Sequence, residues 1–323
     1  MKRLVLWSIL AVAVTAVTPI LRADVKTREK NMFKMEGMLG AFANRFSGGA
    51  ADGIESTVAL KGNRLATWTD TTGRIIDLGE EKVYEVDIKK KEYRVVTFAQ
   101  MKAQMEKARA DMEKNMKDMK PEERQQMQEA GQQLEFDVDV KETGQKKPIA
   151  GHDTRQVILT VTARAKGQTL DQGGGFVMTN DLWLANSLPV MNEVSEFYMK
   201  FFRAVYGEAI GFDQGQIAGM MAMFPAFATM AKRMQEEGAK LQGTPLMSTT
   251  TFEGVKSEEA MKQAQSQSGG GGISGALARR MMGNKGQVQK RTKAMTTAHE
   301  VLSIGTTVAA ADVDMPAGFK EKK

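Results

Sequence analysis

Met101, Met105, Met112, Met116 and Met119 follow one another at spacings of 4, 7, 4 and 3 residues, which on a 3.6-residue helix gathers all five into a narrow seam on one side. Thioethers in such a seam offer two chemistries and one purely structural use. As soft donors they select copper(I), with Met112, Met116 and Met119 the best set. As unbranched, polarizable side chains they make an adaptable wall for an apolar ligand, with Met105, Met112 and Met116 as its candidates. The structural use is the core-facing side of a helix packed on a sheet. No compact cluster of Met and His accompanies the seam near an exposed terminus, so copper ranks below the two apolar uses.

Signals for other chemistry are sparse. His152 and His299 are the only histidines, and neither belongs to an HExxH pair or another metal-ligand spacing. No nucleophile elbow occurs. His152, beside Asp153 in a Gly-containing turn, reads as turn-forming, and His299 falls on the last expected strand. Gly173 to Gly175 lead into a strand, and Gly269 to Gly272 precede no Gly-Lys-Ser/Thr element, so neither run is a phosphate loop. The chain therefore reads as non-catalytic and without a cofactor.

The elements that must position the seam alternate between strand and helix. From Ile54 to Phe98, short strands are split by Gly and Asn turns, and such close neighbours pair only as hairpins. The methionine segment is expected to be helical from about Phe98 to Lys120, with Pro121 opening a second piece. Leu134, Phe136, Val138 and Val140 alternate with acids in the cleanest strand, followed by strands over 157–164 and 176–185. Asn186 or Ser187 is expected to cap a helix that starts near Pro189, carries Phe197 and Phe201 on its apolar face and ends at Gly207. Asp213 opens another helix, which Pro225 should kink or split. Strands return at 246–252 and 296–308. Helical insertions near 98–131 and 189–237 within one meander imply a single domain over 24–323.

Composition bounds the setting. Lys2 and Arg3 precede a mostly apolar run from Leu4 to Leu21, then Arg22, Ala23 and Asp24, the pattern of an export signal cleaved after Ala23. The expected location is periplasmic or secreted. Loss of Lys2, Arg3 and Arg22 with no acid takes the net charge from +6 to +3, too little to argue for nucleic acid. Cysteine is absent, which excludes disulfides and thiolate chemistry. A Gly, Ser and Gln-rich segment near 257–289 reads as flexible, yet no acid occurs between Glu259 and Glu300. Arg279, Arg280 and Lys285 within it are candidates for contact with an anionic membrane.

The words Gly73-Arg74-Ile75-Ile76-Asp77-Leu78, Val83-Tyr84-Glu85-Val86-Asp87, Asp181-Leu182-Trp183-Leu184-Ala185-Asn186 and Met315-Pro316-Ala317-Gly318-Phe319 resemble those of a bacterial envelope protein family related to the LolA/LolB-like lipoprotein carriers. The resemblance implies an α+β fold: a curved antiparallel sheet, an incomplete barrel, with helical insertions covering its concave face over an apolar cavity. The long methionine helices and the Gly-rich insertion depart from those carriers. The leading expectation is an exported protein that binds a lipid or other hydrophobic molecule through Met105, Met112, Met116, Phe197 and Phe201. A copper(I)-binding protein and an envelope interaction module are the alternatives.

Overall fold

Short strands with one wet face must pair widely before they bury anything. In the computed structural model, which describes residues 24–36, 51–123, 125, 129, 133–207, 225–269 and 290–322, twelve strands join one open sheet. The strands are β1 (Val25–Met35), β2 (Ile54–Lys61), β3 (Arg64–Trp68), β4 (Thr72–Asp77), β5 (Lys82–Asp87), β6 (Glu92–Thr97), β7 (Leu134–Ile149), β8 (His152–Ala165), β9 (Gly175–Ala185), β10 (Thr244–Val255), β11 (Arg291–Gly305) and β12 (Lys320–Glu321). Their order is β12-β6-β5-β4-β3-β2-β1-β11-β10-β9-β8-β7, antiparallel throughout except that β12 runs parallel to β6. Two meanders, β1 to β6 and β7 to β11, are joined where the first strand pairs with the last long one.

Local chemistry sets the turns and helix ends. Gly62, at φ +59°, opens the tight turn that brings Lys61 opposite Arg64, a backbone region that suits glycine. Helix α1 (Phe98–Asp118) starts at a reciprocal cap: the Gln100 N–H donates to Thr97 Oγ1 and the Thr97 N–H to Gln100 Oε1. A single turn, α2 (Leu170–Gly173), precedes β9. Helix α3 (Pro189–Tyr206) places Pro189 in its first turn and ends at Gly207. Its cap residue is Leu188, not Asn186 or Ser187 as expected, because the Leu188 N–H donates to the Thr244 hydroxyl of β10 instead. Pro225 begins helix α4 (Pro225–Glu237), while Asp213 lies outside the described residues. The expected flexible segment opens with a helix, α5 (Glu258–Gly269).

Strand registers assign the faces, since side chains alternate across a sheet. One face carries Val25, Leu60, Leu65, Ile76 and Val83 in the first meander, where Phe197, Phe201 and Val205 of α3 pack with Phe98 and Met101 of α1. The same face continues through the registers to Val157, Leu159, Val138 and Val140, which Met230 and Met234 of α4 cover. Both α3 and α4 thus lie on one side. On the other, the segment after β11 lays Val308, Val313 and Met315 over Ala59, Ala66 and Ile75. Trp68 Nε1 donates to the Asp312 carbonyl at 2.8 Å, and Arg64 to the Asp314 carboxylate at 2.5 Å, fixing that strap. Among the described residues no helix is long and apolar enough to cross a membrane.

Candidate functional site

Between α3 and α4 the helix-bearing face has no described helix above it, and here the central strands converge on a cavity of about 480 Å³. Asn31 and Phe33 of β1, Ser56 of β2, Ser248 of β10, and Thr297 and His299 of β11 project from one side of the sheet into it. Ile54 and Thr69 extend that wall, and Met32 and Ala298 also border the cavity. The registers order these residues in rows. Asn31 faces His299, which faces Ser248; Phe33 faces Thr297, which faces Thr250 and then Asn180. The next row is apolar over six strands: Met35, Met295, Phe252, Met178, Val161 and Val138.

The α4 end of that row is packed, whereas Met35, Met295, Phe252 and Met178 are half-buried, and in the rows on either side Phe33 of β1 and Phe176 of β9 are each 40% exposed. The Phe176 ring lies 5.8 Å from that of Phe252. Large apolar side chains left this open in a row on a strand surface are what a ligand platform requires.

A polar cluster borders the cavity on the same face. Glu29 is 16% exposed, accepts a hydrogen bond from the Thr27 hydroxyl at 2.6 Å and lies 3.2 Å from His299 Nε2. Burial works to raise the Glu29 carboxyl, but the hydrogen bonds from His299 and Thr27, with the His299 charge, win and hold it below the usual carboxylate range. Tyr198 of α3 descends onto the same face and is hydrogen-bonded to Thr67. Burial pushes its phenol above the ordinary value, with the Glu29 charge adding to the effect. One row further out, the Asn180 amide oxygen is buried without a hydrogen-bond partner.

The sequence-derived candidates lie elsewhere. Phe197 and Phe201 are 3% exposed in the filled layer between α3 and the sheet, and neither lines the cavity. In the seam, Met101 joins that core, but Met105 is 51% exposed and Met119 half-buried at the end of α1. The side chains of Met112 and Met116 lie outside the described residues, as do Arg279, Arg280 and Lys285. Among the described side chains of the proposed wall, the structure brings together Phe197 and Phe201 and leaves Met105 apart. Sequence reasoning missed Asn31, Phe33 and Met35, although period-2 spacing from Val25 through Thr27, Glu29, Asn31 and Phe33 to Met35 was present. Too many polar residues occupy those positions for the alternation to register as hydrophobic.

A second cavity, about 520 Å³, opens between β4, β5 and β6. It is slightly larger, yet four of its charged lining residues are already paired: Arg94 with Glu85 at 2.5 Å and Lys90 with Asp87 at 3.3 Å. The central cavity is the better candidate. Among the described residues no cluster of three His, Asp or Glu is placed to hold a metal ion. No protein-family model matches the chain, and no curated protein matches it.

Proposed function

We propose that the helix-bearing face holds a lipid or other hydrophobic molecule, and that the chain is an exported, non-catalytic binding protein. The observation that carries this reading is the row Met35, Met295, Phe252 and Met178, half-buried beside a cavity of about 480 Å³. Covering 100 Å² of apolar ligand surface would contribute about 2.5 kcal/mol at about 25 cal/mol per Å². Methionine and phenylalanine together adapt to a chain of variable shape. In this reading the twelve-stranded sheet is the curved, incomplete barrel of a LolA/LolB-like carrier, with α3 and α4 as its covering helices. The basic segment with Arg279, Arg280 and Lys285 would bring the carrier to anionic membranes.

The test is native mass spectrometry of gently purified protein, followed by organic extraction. A bound mass released as lipid supports the proposal. An apo mass, with nothing extracted and no lipid taken up on incubation, overturns it.

A further inference from the structure

We propose that the ligand is an uncharged, single-chain amphiphile. Its hydroxyl or ester head sits among Asn31, Ser56, Ser248 and Thr297, and its chain lies along Met35, Met295, Phe252 and Met178. The inference rests on the ligand-binding reading above and adds the chemistry of the ligand.

Charge is the first argument. No Lys, Arg, Asp or Glu occurs among the described residues lining the cavity, which are hydroxyl, amide, imidazole and apolar groups. A charged head placed there would lose water and find no unpaired counter-ion among these lining groups, since His299 is engaged by Glu29, whereas a neutral one needs only hydrogen bonds. Glu29, which projects from the same face in the row next to Asn31, is already engaged by His299 and Thr27. Its carboxylate repels an anionic head, and its pairing with His299 lessens what a cationic one would gain.

Hydrogen-bond capacity is the second. Serine and threonine hydroxyls donate and accept, and asparagine does both through separate atoms, so the row matches a head that itself carries donors and acceptors. A hydroxyl or ester head can answer both functions of these side chains, whereas a carboxylate or phosphate diester only accepts.

Size is the third. A volume of about 480 Å³ falls within the range of about 300–1,000 Å³ usual for small-ligand sites. The row from β1 through β11 and β10 to β9 spans three strand steps, about 14 Å at about 4.8 Å each. One acyl chain of medium length matches that length.

Three probes with the same twelve-carbon chain decide the matter on the purified full chain: monolauroylglycerol, laurate and dodecyltrimethylammonium, below their micelle concentrations, with binding read by calorimetry. The glycerol ester should bind at least tenfold tighter than either ion. In the variant Thr297→Lys, laurate should gain tenfold or more relative to the ester, with folding checked by circular dichroism. Laurate or the ammonium binding as tightly as the ester overturns the head-group inference and leaves the ligand-binding reading standing. Failure of all three to bind, together with an apo protein on extraction, removes both. An unchanged preference in folded Thr297→Lys shows that the head lies elsewhere and also overturns the inference.

Discussion

Nε2 of His299 stands 3.2 Å from Oε2 of Glu29, so one polar side-chain contact links the first strand to the last long strand at the edge of the cavity. The Glu29 carboxyl is held below its usual range in the folded chain. A depressed carboxyl contributes stability that is present above its unfolded value and lost as pH falls through the folded one. Melting temperature measured from pH 7 down to pH 3 should therefore fall on the acid side, and Glu29→Gln should flatten that fall. Parallel curves for the two proteins would mean that the contact contributes nothing.

Phe201 should matter for folding and not for binding. It is 3% exposed and meets Phe98 edge-on at 5.2 Å between centroids. Phe201→Ala should lower the unfolding free energy by about 3–5 kcal/mol in denaturant titrations. Phe252→Ser, on the proposed platform, should instead reduce lipid uptake, and Met105→Ser, on an exposed turn of α1, should change neither.

Arg64 holds three acids: Asp77 at 2.6 Å, Asp314 at 2.5 Å and Glu80 at 3.0 Å. The Asp77 side chain is only 6% exposed, so removing its partner leaves a buried carboxylate served by the Gly79 and Glu80 N–H groups alone. Arg64→Ala should cost about 1–3 kcal/mol. Hydrogen exchange should also quicken in residues 309–315, which Arg64 helps to pin; unchanged exchange there would refute the strap's dependence on this side chain.

Gly73 leaves room for the Trp68 indole, which lies directly over it. A methyl group at Gly73 meets the ring and pushes it from its bond to the Asp312 carbonyl. Gly73→Ala should destabilise by about 1–3 kcal/mol, with a shift in tryptophan fluorescence as the companion reading.

Local pattern was enough for the hairpins from Ile54 to Thr97, for the strand at Leu134 and for α3, because each signals within a dozen residues. It was not enough for β1, whose Lys26, Arg28, Glu29, Lys30 and Lys34 disguise a central strand. Nor did helical spacing find the methionines of the platform. Met35, Met178 and Met295 lie on three strands far apart in the chain, and only register makes them neighbours. The seam in α1 is real as a pattern, yet α1 is anchored to the core by Phe98 and Met101 and exposes Met105. Periodicity identifies a face of a helix, and not what lies opposite it.

The pairing of β1 with β11 also sets a timetable. Val25 to Met35 are made long before their partners, which run up to Gly305. Until then β1 can hold only β2, and the two meanders have no ladder between them. Closing so long a loop is slow, because its entropy cost must be met before the contacts reward it. The floor of the cavity, drawn from both partners, is therefore assembled only after β11 has been made, and a chain cut short before β11 would leave two half-sheets and no floor.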